Sequence, residues 1–176
     1  KVRRVRIMAT KIPKNKKLSI SVDQELKILR KIVDITAEDL DLGLILSDIV
    51  KIVTEFTSAD SVFIYLFDEN KKHLVLMASK TPHKRELGKI NLGIGEGITG
   101  WVAQENKPVA IGKRAYQDHR FKGFDVLPED RYEAFLSVPI VYKGKAIGVI
   151  NVQHKKPHDY QQNFVSLITS IAKQVG

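Results

Sequence analysis

The sequence predicts an α+β domain: a mainly antiparallel sheet, helices from both chain ends on one of its faces, and a long insert across the other. Three observations carry this. Apolar residues recur at helical spacing near both ends of the chain. Two segments, "SVFIYLFDENKKHLVLMASK" and "AFLSVPIVYKGKAIGVINVQHK", read as strand pairs around polar turns. The insert between them, Thr81 to Glu133, holds only a short strand and a short helix.

The first helix is expected at Val22–Thr36. Ser21 and Gln24 have the spacing of a capping box, and Leu26, Ile28, Leu29, Ile32, Val33 and Ile35 follow on more than one face. Asp41 is placed to cap a second helix, Leu42–Thr57, whose Ile45, Ile49, Ile52, Val53 and Phe56 point inward. The first hairpin turns at Asp68–Lys72 and the second at Lys143-Gly144. The second hairpin is apolar almost without a break, so both faces of the sheet are covered. A two-residue turn sets Val141 against Ala146 and Val138 against Val149. On that register Ser137 and Asn151 face opposite sides, and only one of them can reach an insert-side pocket. The chain closes on a helix capped by Asp159 with Gln162, presenting Phe164, Leu167, Ile168, Ile171 and Val175.

Composition sets the outer limits. The chain has 176 residues, 43% apolar and 28% charged, which suits one globular domain with a real core. No apolar run approaches the about 18 residues of a membrane-spanning helix. Cysteine is absent. That removes disulfides, thiol catalysis, zinc–thiolate sites and thioether-linked chromophores together, and it fits a reducing, cytoplasmic setting. The chain opens on Lys1 and shows no signal-peptide pattern, so it reads as a piece of a longer protein. The net charge of +9 is concentrated in residues 1–17, "KVRRVRIMATKIPKNKK", with eight Lys or Arg and no acid. Residues 18–176 form the single domain and are nearly neutral. The arm reads as a linker; nucleic-acid binding would rest on it alone, and it has no aromatic residues to stack bases.

"NLGIGEGITGWVAQENKPV" contains Gly95, Gly97 and Gly100 in the G-x-G-x-x-G spacing of a dinucleotide turn, with Asp118 about twenty residues on. The context opposes that reading. A dinucleotide turn needs a buried parallel strand and a βαβ unit, whereas the neighbouring strands pair as hairpins. Glu96 would also meet a pyrophosphate with like charge. The glycines read instead as a tight turn into a short helix, Ile98–Glu105, with Ile98, Trp101 and Val102 pressed toward the sheet.

"GIGEGITGWVAQENKPVAI", then "DHRF", then "FLSVPIVYKGKAIGVINVQ", then an amphipathic terminal helix, resembles a GAF domain from about Leu40 to Val175. "IYLFD", "LVLMAS" and "LGIGEGITGWVA" are similar to the GAF domains of nitrogen-related phosphoenolpyruvate phosphotransferases, and those of nitrogen-fixation activators are also similar. The resemblance implies a PAS-like fold: a six-stranded antiparallel sheet, N- and C-terminal helices on one face, and a small-molecule pocket under loops and a short helix on the other. It implies a sensory or regulatory domain, with any catalysis in another, covalently linked domain.

The candidate pocket residues are Ile98, Trp101, Asp118, Arg120, Phe121, Phe124, Tyr132, Phe135, Ser137 and Asn151. Asp118-His119-Arg120-Phe121 stands near the cavity by resemblance; a local Asp118–Arg120 pair with Phe121 as loop anchor is the alternative. Aromatic walls with a few polar groups suit a small ligand, and equally suit a plain core. The five histidines show no metal spacing, and no triad or acid–base pair is present. The cyclic-nucleotide pattern of some GAF domains does not fit residues 106–133, and the cysteines of sulfoxide-reducing members are missing. Two readings follow: a cytoplasmic sensor of an unidentified small molecule, closing the Gly93–Gly100 and Asp118–Tyr132 loops and signalling through its terminal helices, or a ligand-free module that homodimerises through those helices.

Overall fold

The computed structural model describes residues 21–37, 41–80, 86–124, 127 and 131–176. The basic arm expected at residues 1–17 lies outside them. Helices α1 (Val22–Ala37) and α2 (Leu42–Thr57) precede strands β1 (Ser61–Phe67), β2 (His73–Ser79) and β3 (Asn91–Gly93). Helix α3 (Gly97–Glu105), strand β4 (Val109–Ile111) and a 3₁₀ turn (Ala115–Gln117) follow. Strands β5 (Ala134–Tyr142) and β6 (Lys145–His154) and helix α4 (Gln162–Val175) complete the order. The six strands form one sheet in the order β3-β2-β1-β6-β5-β4, and every neighbouring pair is antiparallel.

Both helix starts near the N-terminus form as the side chains dictate. The Gln24 amide N–H donates to Ser21 Oγ, and the Ser21 N–H donates to Gln24 Oε1 at 2.9 Å, completing a capping box. Asp41 Oδ1 accepts the Gly43 N–H at 2.8 Å. Helix α4 departs from expectation: it starts at Gln162, and Asp159 does not cap it. The segment before it is held extended on the sheet, because the His158 N–H donates to the Gly112 carbonyl and the Tyr160 hydroxyl to the Val152 carbonyl. The chain is released into a helix only beyond these ties.

The sheet divides two cores. On one face Leu136, Val138, Ile140, Ile150 and Val152 pack with Ile64 against Ile28 and Ile32 of α1, Leu46, Ile49, Val50 and Val53 of α2, and Leu167, Ile168 and Ile171 of α4. On the other, Phe63, Tyr65, Phe135 and Val149 pack with Leu92, Ile98 and Val102. Burial of apolar surface on both faces, at about 25 cal/mol per Å², is what holds the layers together.

The β5–β6 register is corrected by a bulge. Val141 opposes Ala146 as expected, but Ile140 opposes Gly148, so Ile147 is the extra residue and Val138 opposes Ile150 rather than Val149. Beyond the bulge every β6 side chain changes face relative to the simple hairpin. Ser137 and Asn151 therefore lie directly opposite each other on the insert side and are hydrogen-bonded at 2.8 Å. The expectation that they face apart fails for this reason.

The glycine segment is a mechanical turn, as the strand context requires. Gly95 and Gly97 have φ of 78° and 66°. The Gly95 N–H donates to the Gly100 carbonyl at 3.0 Å. A Cβ on Gly100 would lie 2.4 Å from the Gly93 carbonyl oxygen. The turn therefore closes only because position 100 has no side chain. Gly100→Ala is expected to lower the unfolding free energy by about 1–3 kcal/mol, read by urea titration; an unchanged midpoint would show that the turn does not need this contact.

At the far end of β6, His154 is 7% exposed. Its ring stacks on His158 at 3.9 Å, with Nδ1 3.0 Å from the Tyr160 hydroxyl. Burial, and then the neighbouring His158, hold its pKa down at about 4; burial lowers that of His158 as well. The Thr57 carbonyl and then Asp60 favour the proton, and Lys80 opposes it. The folded pKa lies below the unfolded value of about 6.5, so the unfolded chain binds more protons between the two. The stability contributed by neutral His154 is complete above about pH 6.5 and is lost as pH falls through about 4, by about 3 kcal/mol in total. Denaturant titrations across this range should show that slope, and His154→Leu should reduce it, leaving the part due to His158.

Candidate functional site

The insert-side core is not filled. A cavity of about 30 Å³ lies between the sheet, α3 and the segment Phe121–Phe124, room for about two waters. Its floor is Phe63 and Tyr65 of β1, Phe135 of β5, and Asn151 and Gln153 of β6. Gly97, Ile98 and Thr99 of α3 and Leu92 of β3 form one wall. Phe121, Lys122, Phe124 and Leu127 close it from above.

The floor carries a polar strip inside an apolar shell. Ser137 Oγ donates to Asn151 Oδ1 at 2.8 Å, and Asn151 Nδ2 donates to Thr99 Oγ1 at 2.8 Å. All three residues are buried, so the chain of bonds ties β5 and β6 to the first turn of α3 in a low-dielectric setting. Gln153, one step along the same face, is also buried, and its Oε1 has no hydrogen-bond partner.

The closing segment is held by side chains that the turn residues position. Lys122 Nζ donates to Glu96 Oε1, while Glu96 Oε2 accepts the Gly93 N–H at 2.7 Å. The Lys122 ammonium, and then the Gly93 N–H, hold the Glu96 carboxyl below its ordinary range. Beside it, Asp118 accepts Arg120 Nε and Nη2, each at 2.9 Å, and the Arg120 backbone N–H. The bound guanidinium pulls the Asp118 pKa down to about 2, and lies 4.7 Å above the Trp101 ring.

Five of the ten sequence candidates, Ile98, Phe121, Phe124, Phe135 and Asn151, stand on the cavity wall. Ser137 stands directly behind Asn151. Trp101 is half-buried at the margin of the insert-side core, under Arg120 rather than over the cavity. Asp118 and Arg120 are spent on each other and on the loop. Tyr132 lies elsewhere, with the Lys155 ammonium 5.6 Å from its ring centre. Sequence reasoning missed Phe63, Tyr65, Leu92, Thr99, Lys122 and Gln153. Phe63 and Tyr65 sit in an unbroken apolar run that does not reveal its faces. Gln153 was recoverable only from a correct β6 register, for which Gly148 in mid-strand is the sequence sign of a bulge.

Among the described residues no group of three or more His, Asp or Glu is gathered to hold a metal, and no helix is long and apolar enough to cross a membrane.

Comparison with known proteins agrees with this architecture. A family model described as GAF domain matches residues 39–176. The chain is 32% identical to the GAF domain of an Acinetobacter phosphoenolpyruvate-protein phosphotransferase, covering 86% of this chain and 89% of that one, with a TM-score of 0.74. A corresponding GAF domain from Coxiella burnetii is 27% identical, with the same coverage and a TM-score of 0.78. In Escherichia coli a phosphoenolpyruvate-dependent phosphotransferase system protein is 28% identical over 148 residues, which are 84% of this chain but only 20% of that protein. The chain thus spans about a fifth of the curated relatives it matches. A free methionine-R-sulfoxide reductase from Neisseria meningitidis superposes with a TM-score of 0.73 over 96% of this chain and 93% of its own, at 18% identity, a likeness of fold alone. A six-stranded antiparallel sheet with helices on one face and a roofed cavity on the other, matched over residues 39–176, makes this chain a member of the GAF domain family.

Proposed function

We propose that the chain is the sensory domain of a larger regulatory protein, that it binds a small molecule in the cavity beneath Phe121–Phe124, and that occupancy is passed through α1 and α4 to linked domains. The observation that carries this is the polar strip of Ser137, Asn151, Thr99 and Gln153 in an otherwise apolar hollow. Three of these groups satisfy one another and tie α3 to the sheet, while Gln153 Oε1 is left without a partner. Apolar walls with a few placed polar atoms are what a small-ligand site requires.

The cavity as it stands holds about two waters, so it is the closed state of a site that must widen. The widening has a defined route. Phe121 and Phe124 belong to a loop tied to the glycine turn by the Glu96–Lys122 ion pair, which is about two-fifths exposed at both partners. Such pairs are worth little, about 0–1 kcal/mol, and part easily. A ligand shifts the balance between open and closed only through a difference in affinity for the two. The floor strands supply the relay: Asn151 faces the cavity, while its neighbours Ile150 and Val152 pack on the helical side with α4.

The spare apolar surface of the helices favours a second reading. Of the two terminal helices, α1 exposes Val22, Leu26 and Val33, joined by Leu42 and Leu44 of α2, whereas α4 exposes no large apolar residue, so a two-fold contact would be centred on α1. The role is regulatory rather than catalytic in both readings. The sulfoxide reductase likeness does not carry its activity here, since this chain has no cysteine.

A thermal-shift screen of amides, nucleobases, amino acids, 2-oxo acids and cyclic nucleotides, with light scattering on the same samples, separates the two. Sensing predicts one compound class that raises the midpoint saturably, by about 5–10 °C at a hundredfold excess over its Kd. No shift from any class, with a dimer by scattering, would contradict sensing and leave assembly.

A further inference from the structure

We propose that Gln153 selects the ligand of this cavity, and that the ligand is an uncharged small molecule presenting an N–H or O–H donor to Gln153 Oε1. The inference rests on the reading of the cavity as a ligand site and gives that ligand its chemistry.

The polar atoms of the floor are not equivalent. Asn151 is partnered at both ends: its Oδ1 accepts from Ser137 and its Nδ2 donates one of its two protons to Thr99. Gln153 is 3% exposed, stands on the cavity wall, and has an Oε1 that meets no donor. Ser61, opposite it in β1, is fully buried and its hydroxyl is likewise without a partner. A buried acceptor left unmet costs about 1–3 kcal/mol, so a ligand that supplies the donor recovers what one without it cannot.

Charge is decided by the rest of the lining. Lys122 is its one charged residue among those described, and its ammonium is bound to Glu96 at the rim. Apart from the uncharged polar groups of Thr99, Asn151 and Gln153, the other described residues of the lining are mainly aromatic and aliphatic. A carboxylate or ammonium brought to Gln153 would be desolvated with no buried counter-charge among the described lining residues. Phe63, Tyr65, Phe121, Phe124 and Phe135 offer ring faces and edges instead, which suit a flat, neutral group such as an amide, a urea or an N–H heterocycle.

Acetamide, acetone and acetate test this directly, because they share one shape and differ in donor and charge. Each is titrated into the chain carrying ¹³C-labelled Ile and Leu methyls, and the shifts of Ile98 and Leu127 are followed. Acetamide is expected to bind at least about tenfold more tightly than either of the others. Gln153→Met, which keeps the length and removes the acceptor, should bring acetamide down to the level of acetone while leaving the methyl spectrum folded. Should that variant not fold, the comparison of the three probes on the unaltered chain still decides. Equal binding of acetone and acetamide overturns the role of Gln153 and leaves the cavity as a ligand site. Preference for acetate overturns the uncharged class. No shift of either methyl with any probe overturns both the selection and the site.

Discussion

The arrangement of this domain depends on a single irregularity, the bulge that places Ile147 out of pairing between Ile140 and Val141. Without it, the insert-side residues of β6 would be an apolar set, and Asn151 would turn into the helical core, which is built mainly of aliphatic side chains. With it, Ser137, Asn151 and Gln153 share one face, and the hydrogen bonds from Ser137 through Asn151 to Thr99 fasten α3 over the sheet. An amide in a dry interior is costly unless satisfied, so the bulge and the network require each other. Gly148 makes room for it: a Cβ there would lie 2.4 Å from the Tyr65 carbonyl oxygen.

Roof and platform then behave as two mechanically distinct layers. The helical face is a closed apolar core in which α4 is threaded between α1 and the sheet. The insert face is held by a few identifiable contacts: the buried network at the foot of α3, the Asp118–Arg120–Trp101 stack, and the Glu96–Lys122 pair. The first layer carries the larger apolar core, and the second rests on fewer, more polar contacts. The glycine turn joins the layers, and its spacing serves backbone packing rather than phosphate contact.

Much of the fold was legible in the sequence. The capping box at Ser21–Gln24, the Asp41 cap, both hairpins and the short helix after the glycines follow from local chemistry, and local chemistry is what sequence shows well. The lining of the cavity was legible in part. Ile98 was within reach from the short helix after the glycines, Phe121 and Phe124 as aromatics of the insert, and Phe135 and Asn151 as an aromatic and a polar residue in apolar strands. Gln153 and the Ser137–Asn151 pair were not, since a one-residue shift in pairing exchanges the two faces of a strand that is apolar on both. The start of α4 was misjudged for a related reason: the ties from His158 and Tyr160 to the sheet are tertiary, and they outweigh a favourable capping pattern at Asp159.

The measurement that bears most directly on this account is the set of through-space NMR contacts from the Asn151 side-chain amide. The bulged register predicts strong contacts from its Nδ2 protons to the Thr99 methyl, given the 2.8 Å bond from Nδ2 to Thr99 Oγ1. Contacts from the same protons to the methyls of Leu167 or Ile171 in α4 would show the unbulged pairing, and would remove the polar floor on which the proposed site stands.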